Sequence, residues 1–585
     1  MRSLMKGYLE TRRQGALNQD LSGYDNSHAD INDGQDENSL LLPFGGVNEC
    51  RARGLSVTSK TNAYQFRSMT TTELNRSTGL TAWLRQSLNR PLSSFWCVMS
   101  WFGATAVFVG LSGLLGGPTE SDAAESVYST WSIAHGNLTC VYPPTGNHHF
   151  SSITNPFALV APLYPLISGG AAALLRIGHD VAFPSQHELG PQCVNAFDGM
   201  LDWSATSSAI LPTVRLGYLV WPVLVAGIIA LLRVSGRGRR GWESLTLFLV
   251  AGTPPVLNCL TLYFHPQDLL AMGLILGGVA CSVKKRWLWV GVLLGLAFCS
   301  QQFALLVIAP LIVIAPTQGR IRLGIGAILA VALIDVPLIV ATSGRAVKTI
   351  LLGSSRVGLD IKSKGGTVLW EANLHGTLLF EISRVVPVAA SMAFAWWVSR
   401  RLGTRVLSSI PLISLIATSL TLRLIFEENL FGYYFMAVAV ALLVLDVAVG
   451  RIRGPLLAWI ALVTATFNPV HLGFSSNLTS WTVPLYHAIP IVLLGAMVIS
   501  AAFDAAVRRV HLYKVMWIIV VALTCESTLW GLSHSIVHVP NWLWQVVLVP
   551  TALVLAVTPL LKVPTLLTDA EPLSINEAEP RRLLT

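Results

Sequence analysis

Three carboxylates, Glu120, Asp122 and Glu125, fall within six residues, just past an apolar run that ends near position 116. A carboxylate held at the edge of an apolar phase can take a proton from a hydroxyl, so Asp122 and Glu125 are candidate general bases. They could equally be solvated loop acids, or first-turn residues of a helix favoured by its macrodipole. A second concentration lies at 343–376, where Arg345, Lys348, Arg356, Lys362 and Lys364 face only Asp360 and Glu371. Such a cationic stretch suits a phosphate, with Arg as a forked partner, or anionic lipid headgroups. The run LRLIFEENLFGYYF at 422–435 places Arg423, Glu427 and Glu428 beside Tyr433 and Tyr434. An i,i+4 ion pair with an aromatic belt would account for it as well as a ligand site would. YFHPQD at 263–268 sets His265 and Asp268 in a polar turn. Those two side chains alone make no metal site, and a turn asks for Pro and polar residues anyway.

These groups need elements to hold them. The chain has 585 residues, of which 53% are hydrophobic and only 12% charged. Its mean hydropathy is +0.58. There is too little polar surface for a soluble protein of this size, and too much apolar content for disorder. The apolar runs are long and continuous, as helical crossings require, rather than alternating as in a barrel. The net charge of +9 reads as Lys and Arg gathered in cytoplasmic loops, so no nucleic-acid partner is expected. Eighteen Trp suit a chain with two water–lipid boundaries. Eight Cys without CxxC spacing make a zinc site or disulfide scaffold improbable. Cys140 and Cys193 both lie in the long segment after the first span, where an oxidising exterior would allow a disulfide between them.

The expected fold is an all-α, polytopic transmembrane protein. Residues 1–92 read as a disordered cytoplasmic tail with no secretory signal, and Met69 opens a second plausible start. The first span falls at 94–116, and a long polar segment runs over 117–210. Its apolar part, 156–175, is broken by Pro156, Pro162, Pro165 and Gly169–Gly170. It is read as a helix on the outer face, because a crossing there would turn Arg233, Arg237, Arg239 and Arg240 outward. Further spans are expected at 212–232, 244–263, 268–283, 287–300, 303–316, 323–342, 377–398, 406–424, 433–449, 455–470, 486–503, 514–532 and 541–560. That makes about fourteen. Each predicted cytoplasmic turn then carries Lys or Arg, and the chain is expected as a multi-pass protein of the cell inner (plasma) membrane with both termini cytoplasmic. Residues 93–450 would form the main module, 451–562 further helices, and 563–585 a second cytoplasmic tail. Asp335, Glu381 and Glu526 fall within spans, as proton relays or near helix ends.

This arrangement resembles the GT-C class of integral-membrane glycosyltransferases. More narrowly, it is similar to the actinobacterial-type polyprenyl-phosphate-sugar-dependent mannosyl- and arabinofuranosyltransferases. An acid after the first span is followed by Tyr128, then Ala134-His135-Gly136 and Tyr142-Pro143-Pro144. YPLI at 164–167, HPQDLLAMGLILGGVA at 265–280, the hairpin at 287–316 and FEENLFGYYF at 426–435 follow in the family's order. The likeness covers about 95–450. It departs at Gln301–Gln302, where the family usually carries a Lys, and at Asp122, which lies farther from the Tyr than usual and leaves Glu125 as a rival base.

The resemblance implies a GT-C-like catalytic module acting on a glycan or glycolipid acceptor among membrane lipids, with a polyprenyl-phosphate sugar as donor. Asp122 would take the acceptor's proton. Arg345, Lys348 and Arg356, with Arg423, would hold the leaving phosphate. Trp131, Tyr128, Tyr164, His265, Asp268 and Glu427 would line the acceptor pocket. No cofactor is required by this reading, and a divalent cation is left open. Two other classes compete: a secondary transporter or lipid-linked-sugar flippase, and a non-enzymatic subunit of an envelope complex.

Overall fold

The structure is a computed structural model. It describes residues 86–115, 120–142, 161–178, 181, 207–261, 263–344, 346–347, 368, 377–427, 430–466 and 541–568, all within one compact unit. The expected spans at 486–503 and 514–532 lie outside the described residues. So do Arg345, Lys348, Arg356 and Cys193.

The described residues are helical, with no strand among them; the one β-type pairing is an isolated bridge between Pro91 and Arg240. The helices are α1 (Ser94–Leu115), α2 (Glu120–Ala134), α3 (Leu163–Leu175), α4 (Ser207–Gly217), α5 (Trp221–Val234), α6 (Gly241–Ala251), α7 (Pro254–Thr261) and α8 (Pro266–Val283). They continue as α9 (Trp287–Ser300), α10 (Leu305–Ile314), α11 (Thr317–Ala341), α12 (Thr377–Leu402), α13 (Ser409–Ile425), α14 (Met436–Val449), α15 (Gly454–Thr466) and α16 (Asn541–Thr568). Among the described residues, five helical stretches are long and apolar enough to cross a membrane, and a sixth if a bent pair is one span.

The expected single span at 244–263 is two helices, α6 and α7, meeting at 49°. Gly252 and Thr253 end the first, and Pro254–Pro255 open the second, because proline has no amide hydrogen for the preceding turn and its ring blocks continuation. The stretch read as a surface helix forms α3. Its 13 residues rise about 20 Å, short of a hydrocarbon core of about 30 Å. It packs on α2, with lesser contacts to α4, α8 and α9.

Small residues set how closely the helices approach. A Cβ on Gly227 of α5 would overlap the carbonyl of Gly273 on α8, and one on Gly291 of α9 would overlap the carbonyl of Leu323 on α11. Gly326 of α11 meets the Leu288 carbonyl in the same way. This backbone-to-backbone packing is what apolar helices use when lipid offers no hydrophobic drive to associate. Away from the seam, α11 turns Ile321, Ile325, Ile328, Leu333 and Val340 outward.

One end of the helical body is rich in Arg. There the backbone amide of Arg239 donates to Glu243 at 2.7 Å, Trp242 donates to Asn89 at 3.1 Å, and Arg453 pairs with buried Asp446 at 2.5 Å. The other end holds the groups that could do chemistry.

Candidate functional site

The turn into α8 builds the site. Phe264 takes a positive φ of 44°, unusual for a bulky side chain, and is buried against Tyr164 with ring centroids 6.4 Å apart. A residue held there stores strain of about 1–3 kcal/mol, and such strain clusters at functional sites. The turn is pinned by the His265 amide donating to Cys259 O at 2.6 Å. Pro266 then opens α8 with a pre-set φ, which puts buried Asp268 in the first turn, where the helix dipole favours a carboxylate. The sequence had suggested that Asp268 sits in the turn itself; it is the first acid of the helix.

Asp268 is held from the end of the next helix, α9. Gln301, extended at the end of α9, donates from Nε2 to Asp268 Oδ1 at 2.5 Å. Its other amide atom, Oε1, accepts from the Gln302 amide at 3.2 Å, so the side chain is fixed at both ends. Ser300 donates to the Gln267 carbonyl at 2.8 Å, locking α9 to α8.

Across from this pair lies Arg423, in the last turn of α13, where a cation suits the helix dipole. It pairs with Glu427 and is electrostatically coupled to Asp268. Its guanidinium also sits over the rings of Tyr434, at 4.9 Å, and Phe303, at 5.5 Å. The i,i+4 reading of Arg423 and Glu427 is therefore realised, inside a larger cluster. His265 stacks on Tyr433 at 4.1 Å and 13°, and Tyr433 in turn meets Tyr263 and Phe431. Gln267 Nε2 bonds His265 Nδ1 at 2.9 Å, while Gln267 Oε1 is buried with no hydrogen-bond partner among the described residues. Burial, with nearby Arg423 adding to it, pushes the His265 pKa down to about 3. The imidazole is thus a neutral donor–acceptor at ordinary pH and adds no charge.

The cluster has two carboxylates to one guanidinium, so these residues alone would repel a phosphate. The 343–376 segment reaches the same end at its one described position past 347. The Val368 amide donates to Gln545 Oε1 at 2.8 Å, and Gln545 Nε2 donates to the carbonyls of Leu424 at 2.6 Å and Ile425 at 2.9 Å. Those carbonyls end the helix that carries Arg423.

Of the residues singled out from sequence, His265, Asp268, Arg423 and Glu427 come together. Asp122 and Glu125 lie in the first half of α2. Tyr128 and Trp131, on the same helix, are buried, and Trp131 Nε1 donates to Thr213 at 2.9 Å within a small apolar cluster of α2, α3 and α4. Tyr164 is buried as well. Trp131 packs in that small cluster and Tyr164 in the main apolar core, and the rings beside the charged cluster are those of Tyr263, Phe303, Phe431, Tyr433 and Tyr434. Cys140 is disulfide-bonded. No group of three His, Cys, Asp or Glu able to hold a metal ion occurs among the described residues. Sequence reasoning missed the clamping role of Gln301 and the ring of Phe303. The available signal was two adjacent glutamines breaking an apolar hairpin.

No protein-family model matches the chain, and no curated protein matches it.

Proposed function

We propose that the chain is an integral-membrane glycosyltransferase. It moves a sugar from a polyprenyl-phosphate donor to a cell-envelope glycan or glycolipid acceptor on the outer face of the membrane. The reading includes about fourteen spans, with the Arg-rich end cytoplasmic. The observation that carries it is the convergence of Asp268, Arg423, Glu427 and neutral His265 on an aromatic wall at one end of an apolar helical body. Carboxylates in such a place hold sugar hydroxyls, and aromatic rings cover sugar faces. The Val368–Gln545 link supports the idea that the cationic 343–376 segment works at the same end.

In the proposed reaction the acceptor hydroxyl attacks the anomeric carbon. The bond from that carbon to the phosphate oxygen breaks, and the electron pair leaves with the phosphate. Asp122, or its rival Glu125, takes the hydroxyl proton. Arg345, Lys348 and Arg356 stabilise the departing phosphate, and because Arg423 is shared with Glu427 its part is to orient rather than to neutralise. Single displacement inverts the anomeric centre. The competing transporter or flippase reading draws on Asp335, a buried acid within α11.

The test is transfer from a radiolabelled polyprenyl-phosphate sugar by the full chain in lipid. Asp122→Asn should abolish transfer with folding intact, and Arg356→Ala should weaken use of the donor more than of the acceptor. Full activity in both Asp122→Asn and Glu125→Gln would end this assignment.

A further inference from the structure

The turn between α8 and α9 carries Lys284, Lys285 and Arg286, and the start of α11 carries Arg320 and Arg322. All five are exposed, and no Asp or Glu occurs anywhere from 269 to 334. Helix packing brings the two groups together. Trp287 opens α9 against α11, and a Cβ on Gly319 would lie 2.9 Å from its ring. Because α8 starts at the Asp268 cluster and its 18 residues rise about 27 Å, these cations stand at the opposite end of the body. Arg320 is partly engaged, donating to the carbonyls of Ala315 at 2.8 Å and Val313 at 2.9 Å. The ion pairs among the described residues engage none of the five. Lys285 stands out further. The Arg286 amide donates to Cys281 O and the Lys285 amide to Ser282 O, both at 2.9 Å, which is the helix ending that glycine ordinarily provides. Lys285 holds there a left-handed φ of 57°, which glycine would adopt without strain. The turn itself asks for no cation at that position.

Next to the cations the surface turns apolar. Trp289, 57% exposed, and Leu288 project from the first turn of α9, and Ile321, Ile325 and Ile328 project from α11. The spacing of four and then three residues keeps the isoleucines in one stripe along the helix. A tryptophan beside basic residues marks a water–lipid boundary. A small soluble anion would use the cations and leave the stripe bare. A ligand that uses both carries a phosphate head on apolar chains. We infer that the α8–α9 turn and the start of α11 form a binding site for an anionic phospholipid. Its phosphate is held by Lys284, Lys285, Arg286 and Arg322 through charge-assisted hydrogen bonds, and its acyl chains lie along the exposed face of α9 and α11. The site requires only that the apolar helices lie in a bilayer, and it is independent of the transferase reading.

The full chain in dodecyl maltoside is titrated with palmitoyl-oleoyl phosphatidylglycerol and, separately, with the phosphatidylcholine of the same chains. Bound lipid is read by native mass spectrometry. Phosphatidylglycerol should bind about tenfold tighter or more. Lys285→Gly is the decisive variant. It should weaken phosphatidylglycerol binding about fivefold, the weight of one cation at an anionic surface. It should also unfold in SDS no earlier than the wild type, because glycine relieves the left-handed backbone. Lys284→Gln, Arg286→Gln and Arg322→Gln should each weaken binding by a similar factor. Arg400→Gln and Arg401→Gln should not; these cations stand over the exposed rings of Trp396 and Trp397 on α12. Equal affinity for the two lipids overturns the inference, as does unchanged lipid binding in Lys285→Gly. Equal weakening by the α12 variants overturns it too, since attraction would then follow net charge and no particular site. Displacement of the lipid by millimolar inorganic phosphate would mark a site for a free anion and overturn the lipid assignment.

Discussion

Replacing Arg423 with Met isolates the central electrostatic contact. Met keeps most of the volume and the contact with the Phe303 and Tyr434 rings but removes the charge. Glu427 is 22% exposed on its side chain and Arg423 is 25% exposed, so water would recover part of what Glu427 loses. Asp268, at 3% exposure, has no such relief and among the described residues keeps the Gln301 amide. Breaking a fully buried pair costs about 3–5 kcal/mol, and a surface pair contributes about 0–1 kcal/mol. The geometry lies between these, so Arg423→Met should cost about 2–3 kcal/mol. The assay is reversible SDS unfolding in mixed micelles, followed by Trp fluorescence. In a double-mutant cycle, Glu427→Gln should lose less in the Arg423→Met background than alone, with a coupling of about 1–2 kcal/mol. A loss under about 0.5 kcal/mol, or a coupling of zero, would refute the view that Arg423 balances these acids.

Other predictions rest on neighbouring contacts. Gln301→Leu removes the one side-chain donor given to Asp268 Oδ1 and should destabilise by about 1–3 kcal/mol, whereas Gln301→Asn should fall between; equal unfolding curves would count against the clamp. Gly227→Leu should overpack α5 on α8 and cost about 3 kcal/mol or more, while the exposed Ile328→Leu should change nothing measurable. His265, with its pKa lowered to about 3, stays neutral in the folded chain but binds a proton on unfolding below about pH 6.5. Its contribution is therefore complete above about pH 6.5 and falls as the pH drops, by at most about 1.4 kcal/mol per unit. His265→Gln should flatten that dependence between about pH 6 and 4, and an unchanged slope would contradict the burial of a neutral imidazole.

The helices were legible because each needs a long apolar run, and runs such as 323–342 and 433–449 are unmistakable. The break inside 244–263 was written in Gly252, Thr253, Pro254 and Pro255, but a span of that length reads as continuous when only hydropathy is summed. His265, Asp268, Arg423 and Glu427 were visible as polar residues at helix ends. That they meet was not, since α8 and α13 are some 140 residues apart in sequence and no local spacing encodes a contact across the body; chain order and topology must do so. Trp131 shows the converse, a packing partner that local sequence does not reveal. An aromatic in a polar segment looks like a ligand wall, yet Thr213 supplies its indole partner and α3 and α4 close over it. Gln301 shows the general difficulty: one amide in a turn carries no signal until the acid it clamps is placed opposite.

The most direct test of the account is transfer by the purified full chain, reconstituted in lipid, with a radiolabelled polyprenyl-phosphate mannose or arabinofuranose and an envelope glycan extract as acceptor. The account predicts time-dependent transfer with inverted linkage in the wild type, and none in a folded Asp122→Asn, Glu125→Gln double variant. A folded wild-type protein that leaves every such donor intact, or a double variant as active as the wild type, would contradict it.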